Sequence, residues 1–280
     1  MESNLFGERE NNGVAPVAPW IGGKRNLAKR LIRLISAVKH DLYAEAFVGM
    51  GGVFLRRKFV PGAEVINDYS GEVANLFRIL QRHYPQFLDC LKFQITSRRE
   101  FDRLQRVDPS TLTDLERAAR FLYLQRTAFG GKVAGQNFGV CAERGGRFNL
   151  TSLVPILEDV HERLAGVVIE NLSFQDFIPR YDRPEALIYC DPPYFGCEDD
   201  YGKEMFARSD FEVLADLMRG AEGKVIVSIN DTPEIRETFE GQPMLPVNVT
   251  YSISESAPKE FGELIITNFD HPLIIGDATL

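Results

Sequence analysis

The sequence predicts an α/β fold with a largely parallel sheet, helices on both faces and one inserted, mainly helical subdomain. Three observations carry this expectation. Seven short apolar segments, at 42–47, 63–66, 167–170, 186–190, 224–229, 247–253 and 263–267, have the length and composition of strands. Several are separated by apolar residues at helical spacing, such as Val73, Leu76, Phe77 and Leu80, or Phe211, Leu214, Ala215 and Met218. Such alternation builds parallel strands covered on both sides. Between the second and third segments, about a hundred residues break the alternation.

In chain order, residues 1–18 are polar and rich in Pro and Gly, and read as a mobile tail. A helix over about 25–39 follows, because Leu27, Leu31, Leu34, Ile35 and Val38 share one face. Residues 80–155 form the insertion, with a helical stretch at 112–126 and then a Gly-rich aromatic segment expected as a loop or hairpin. The main unit is therefore 19–79 together with 156–280.

At 280 residues and 44% hydrophobic content the chain can bury a large core. No apolar run approaches the roughly 20 residues of a membrane span, and the N-terminus has no signal-peptide pattern, so a cytoplasmic location is expected. Cys90, Cys141, Cys190 and Cys197 lack the paired spacing of a zinc site or disulfide framework and read as reduced thiols; no metal is expected. The net charge of −8 argues against a generically basic nucleic-acid binder, yet it is uneven. Residues 92–150 carry eleven Lys and Arg against six Asp and Glu, and residues 151–280 nine against twenty-five. A locally basic insertion in an acidic frame can still hold phosphates, since the field acts within about 8–10 Å. Solvated helix faces account for the same charges equally well.

The first strand runs into Phe47-Val48-Gly49-Met50-Gly51-Gly52, where glycines let the backbone approach a ligand. The run fits neither a nucleoside-triphosphate loop nor G-x-G-x-x-G. Asp68 follows the next strand, about twenty residues on, where a carboxylate can accept both hydroxyls of a ribose. The fourth segment ends in Asp191-Pro192-Pro193-Tyr194. The prolines stop the strand and stiffen the loop. An aromatic exocyclic amine is a poor nucleophile because its lone pair is delocalised. Accepting its N–H bonds on the Asp191 carboxylate and the Pro192 carbonyl lets the nitrogen turn pyramidal, and the Tyr194 ring offers the base a stacking face.

Taken in order, Trp20-Ile21-Gly22-Gly23-Lys24-Arg25, Glu45-Ala46-Phe47-Val48-Gly49-Met50-Gly51, Ile66-Asn67-Asp68, Phe174-Gln175-Asp176-Phe177 and Asp191-Pro192-Pro193-Tyr194 resemble the Dam-type, D12 class DNA adenine N6-methyltransferases over residues 19–270. The resemblance implies a Rossmann-like seven-stranded sheet with a target-recognition insertion, S-adenosylmethionine as methyl donor with S-adenosylhomocysteine as product, and a flipped-out adenine in double-stranded DNA as acceptor. Carried over by position, it places Phe47, Gly49 and Gly51 against the methionine part of the cofactor and Asp68 on its ribose. Asp176 and Phe177 then stand by its adenine, with Trp20, Gly23 and Lys24 closing the site and Asp191 at the methyl group. Lys24 on its own chemistry suits a carboxylate as a compact point charge, and equally a solvated helix start.

Two departures stand out. Ala46 occupies a position where the family commonly has proline. Gln125-Arg126-Thr127-Ala128-Phe129-Gly130-Gly131 replaces a run that carries two asparagines, so the recognised site is not transferred. Arg98, Arg99, Arg126, Lys132, Arg144 and Arg147 are the candidate DNA contacts, with Arg126 and the 132–147 loop best suited to reading bases or spanning phosphates. A cognate restriction endonuclease is a conceivable partner, and a monomer is the default. The alternatives are cytosine N4, an RNA base or a protein glutamine as acceptor, or a non-catalytic DNA-binding relative.

Overall fold

Strands buried on both faces read as continuous apolar runs, and this holds at the centre of the sheet: Ala186–Cys190 is buried at all five positions and Lys224–Asn230 at its five inner ones. The computed structural model describes residues 9–24, 26–139, 146–198, 205–251 and 259–270. Arg25, Cys141, Arg144 and the end of the expected strand 247–253 lie outside them. The sheet has seven strands in the order β5 (Val168–Glu170), β4 (Ala63–Asn67), β2 (Leu42–Glu45), β6 (Ala186–Cys190), β7 (Lys224–Asn230), β9 (Lys259–Thr267) and β8 (Met244–Tyr251). The first five are parallel; β9 runs antiparallel to both β7 and β8.

Period-two alternation divides the core between the two faces. Tyr43, Ile66, Leu187 and Tyr189 face α1 (Ala28–Ala37), α2 (Gly71–Arg82), α5 (Asp114–Thr127) and α6 (Leu150–Arg163). Ala44, Val65, Ile188 and Val227 face α7 (Phe174–Tyr181), α8 (Asp210–Gly220) and α9 (Pro233–Thr238). The insertion also holds α3 (Tyr84–Leu91) and α4 (Arg98–Arg106). A capping box between Thr113 and Glu116 starts α5, satisfying backbone donors that the first turn leaves open. Among the described residues no helix is long and apolar enough to cross a membrane.

The expected edge of the insertion at 155 falls inside α6, and Leu122, Leu153 and Leu157 share one apolar cluster with Leu31, Leu76 and Tyr43. Residues 9–18 are not a loose tail. β1 (Arg9–Glu10) pairs antiparallel with β3 (Phe59–Val60), the Val14 amide donates to the Leu55 carbonyl at 2.7 Å, and Val17 and Ala18 are buried. A Pro-rich segment without regular structure can still dock when its few apolar side chains find a groove.

Candidate active site

From β2 the chain proceeds outward to β4 and β5, then crosses back to β6 and β7, so the strand order reverses between β2 and β6. At such a switch point the connections leaving the carboxyl ends diverge and open a crevice. A cavity of about 620 Å³ lies there, lined by Glu45 at the end of β2 and Phe47 and Gly49 beyond it, Asp68 after β4, Asp191 and Pro193 after β6, and Trp20, Gly23 and Lys24 from the N-terminal segment. That volume falls in the range of small-molecule sites.

The Asp191 loop is anchored rather than free. Asn230, at the end of β7, accepts from the Phe195 amide at 2.8 Å and donates to the Phe195 carbonyl at 3.0 Å. Asp191 Oδ1 accepts from Lys24 Nζ at 3.0 Å and from Ser228 Oγ at 3.3 Å. Burial pushes the Asp191 carboxyl up to about 6, against the opposing pull of Lys24. Pro192 is buried, and among the described residues none donates to its carbonyl. The Tyr194 hydroxyl donates to Glu263 Oε1 at 2.5 Å, and the Lys24 ammonium stands 4.3 Å from the ring centroid. One face of that ring therefore carries a cation.

Asp68 is set for a polar ligand. Its Oδ2 accepts from the Gly49 amide and its Oδ1 from the Ser70 amide, at 2.8 and 2.9 Å. Each oxygen keeps a further lone pair. Burial raises this carboxyl to about 6, with the two amides opposing. Buried Glu45, which accepts from Tyr43 at 2.7 Å, is held protonated up to about 8 by burial. On the opposite wall Phe47 meets Phe174 and Phe206 at 5.5 and 6.0 Å between ring centres. Carboxylates at two ends and an aromatic wall between them fit a nucleoside-bearing cofactor of the S-adenosylmethionine kind.

The glycines also meet a packing demand. A Cβ on Gly49 would stand 2.6 Å from Trp20 Nε1, and one on Gly51 2.7 Å from Leu55 Cγ. Both have positive φ, +50° and +73°, so their freedom closes the turn under Trp20 and Leu55. Gly51 does not line the cavity. Phe177 is corrected too: it faces the core with Phe174 and Ile178, as the spacing on α7 dictates, and packs on Tyr181 at 4.9 Å. Asp176 is exposed on the other side of that helix, and its carboxylate accepts from Ser173 Oγ at 2.7 Å.

Several insertion arginines are internally engaged. Arg126 lines the cavity and donates to the Val17 and Arg147 carbonyls, tying the N-terminal segment to the insertion. Arg147 donates to the Ala128 carbonyl at 2.9 Å and lies 6.0 Å from the Phe129 ring. Arg103 pairs with Glu100, and Arg117 with Glu72. Arg98, 5.2 Å from the Phe138 ring, Arg99 and Lys132 are exposed and have no carboxylate partner among the described residues.

Sequence reasoning gave no role to Glu263, Ser228 or Asn230. The signal for Glu263 was a carboxylate opening an apolar strand, since a charge in a sheet interior must be paired.

A mainly parallel seven-stranded sheet, an acid after β4 and Asp-Pro-Pro-Tyr after β6 define a Rossmann-like methyltransferase. The chain belongs to the D12 class N6 adenine-specific DNA methyltransferase family, whose model matches residues 20–253. It is similar to the Type II methyltransferase M1.LlaDCHI of Lactococcus lactis subsp. cremoris, at 25% identity over 95% of this chain and 99% of that protein. It is likewise similar to a DNA adenine methylase of Haemophilus influenzae, at 26% identity over 87% of this chain and 89% of that one. It is an S-adenosylmethionine-dependent enzyme that methylates adenine N6 in DNA.

Replacing Asp68 by Ala is expected to weaken S-adenosylhomocysteine binding about 10- to 100-fold by calorimetry, the worth of a charge-assisted hydrogen bond. Unchanged affinity would remove Asp68 from the cofactor site.

Proposed function

We propose that this enzyme extrudes the target adenine from a DNA duplex and holds its amine between the Asp191 carboxylate and the Pro192 carbonyl, at the mouth of a cofactor cavity floored by Asp68. The observation that carries this reading is the position of Asp191: it directly follows β6 at the switch point and lines the same cavity as Asp68 and Glu45. S-adenosylmethionine supplies an electrophilic methyl group when bound. The chain's part is to orient the acceptor. Two oxygens draw the amine hydrogens into fixed directions, which localises the lone pair. The carboxylate also favours the positive charge that develops on nitrogen and is placed to take the proton the product releases. Asp68 and the Gly49 turn hold the donor, and Trp20, Gly23 and Lys24 close the cavity from the N-terminal side.

A base inside a duplex is unreachable, and extrusion costs a few kcal/mol that phosphate contacts offset. Arg98 and Arg99 at the start of α4 and Lys132 are the cations available for this. Alanine at Arg98 and Arg99 together should raise the DNA dissociation constant and flatten its salt dependence by about 0.9 per lost contact. An unchanged slope would move the phosphate path elsewhere.

The direct test has two stages. Sequencing DNA modified by the purified enzyme at single-base resolution identifies the site. An oligonucleotide with 2-aminopurine at the target adenine should then brighten on binding, as an extruded base does. Methylation without any such rise would overturn extrusion.

A further inference from the structure

Glu263 is fully buried in β9, far in sequence from every motif, and both of its oxygens are committed. Oε1 accepts from the Tyr194 hydroxyl at 2.5 Å and Oε2 from Lys24 Nζ at 3.2 Å. Lys24 Nζ is also 2.8 Å from the Tyr194 hydroxyl and 3.0 Å from Asp191 Oδ1. One buried ammonium is thus shared by two carboxylates and a phenol. The neighbouring strand closes the arrangement from behind, for Glu263 stands opposite Asn230 of β7, which anchors the Asp191 loop through Phe195.

A purely structural ion pair would stand apart from the cavity, whereas Lys24 and Asp191 both line it. Asp191 Oδ1 already accepts from Lys24 and Ser228, which leaves Oδ2 to receive an amine hydrogen. Without the Glu263 carboxylate, Lys24 would lean more heavily on Asp191, and a buried ammonium would close on both of its oxygens. The Tyr194 hydroxyl would lose the Glu263 acceptor at the same time.

We propose that Glu263 is a positioning residue for methyl transfer: by sharing Lys24 and holding the Tyr194 hydroxyl, it keeps one oxygen of Asp191 available to the adenine amine. This rests on the role assigned to Asp191 above. Among the described residues, the titratable groups coupled to Asp191 are Lys24 from the N-terminal segment, Glu45 on β2, Tyr189 and Cys190 on β6 and Glu263 on β9, with Tyr194 joined to it through Lys24. Within this set the two partners act in opposite directions on the Asp191 carboxyl, Lys24 lowering it and Glu263 raising it. Their removal therefore moves the acid limb of the rate profile in opposite directions.

Glu263→Gln keeps the volume and removes the charge. Single-turnover methyl transfer to a duplex carrying the target site, with saturating S-adenosylmethionine, is followed from pH 5 to 9. Melting temperature and S-adenosylhomocysteine affinity are measured alongside. The expected result is a transfer rate lower by about 10²-fold at pH 8, as for misplacement of a reacting group, with cofactor affinity retained and the acid limb moved to lower pH. Lys24→Met should move the limb to higher pH. A wild-type rate and limb for Glu263→Gln, or a shift of both variants in one direction, overturns the proposal. Should Glu263→Gln fail to fold, Tyr194→Phe decides, and a wild-type rate there overturns it. Asp191→Ala in the same assay separates the two readings: if that variant still transfers methyl groups, the Asp191 assignment itself has failed.

Discussion

Asp191→Ala is expected to abolish methyl transfer while leaving cofactor binding near wild type. The substitution removes an acceptor fixed where positive charge develops, and losses of about 10²–10³-fold are typical for one such preorganised group. Two features predict a loss at the upper end. The Pro192 carbonyl alone can orient only one of the two amine hydrogens, and the expelled proton loses its nearest acceptor. Folding should survive, because Lys24 keeps Glu263 and the Tyr194 hydroxyl as partners. The pH dependence of the wild type has the same origin. Burial raises the carboxyl to about 6; the ionised form is the one that accepts, so the rate should fall as pH drops through about 6. Single-turnover assays at saturating cofactor, with calorimetry for binding, check both. Transfer by Asp191→Ala within tenfold of wild type would remove this residue from the reaction.

How far the site was legible in the sequence depended on whether a residue acts through its neighbours in the chain or across the sheet. Asp68, Asp191 and Gly49 stand where a strand ends, and the period-two pattern together with a Gly or Pro stop locates such ends without coordinates. Glu263 and Ser228 matter because β9 and β7 lie beside β6 in space, a consequence of sheet order that no local pattern encodes. Phe177 failed for a related reason. Its motif lies on a helix whose buried face is set by Phe174, Phe177 and Ile178 together, so the acid and the aromatic of one motif point to opposite sides. The insertion was recognisable by the break in alternation, but its edge was not, since α6 leaves it and packs on the sheet core within one helix. The docked N-terminal segment gave the least signal: a tail and a strap differ only in whether a groove receives Val17 and Ala18.

The second large effect expected is on stability, from Glu64→Ala. Glu64 lies at 4% exposure in β4 and accepts from two guanidinium groups, Arg57 Nη1 at 2.8 Å and Arg163 Nη1 and Nη2 at 2.6 and 2.8 Å. Both arginines are buried, and the Nε of each has no hydrogen-bond partner among the described residues. Arg163 comes from the end of α6 and Arg57 from the stretch between β2 and β4, so this one carboxylate joins the insertion to the sheet. Removing it strands two buried cations, a change that costs about 3–5 kcal/mol and lowers the melting temperature by roughly 10 °C. The effect should reach the active site. Arg57 stacks 3.7 Å from the Tyr43 ring centre, and Tyr43 donates to the cavity carboxyl of Glu45. His40 adds no third cation there, as burial and Arg57 hold its imidazole down to about 4 and hence neutral at physiological pH. Replacing all three of Arg57, Glu64 and Arg163 by apolar residues of similar volume should restore most of the loss, because the penalty lies in the unpaired charge rather than in the absence of an ion pair. Denaturant unfolding of the single and triple variants measures both. A single variant within 1 kcal/mol of wild type would mean that solvent reaches the two arginines and that the insertion is held by apolar packing alone.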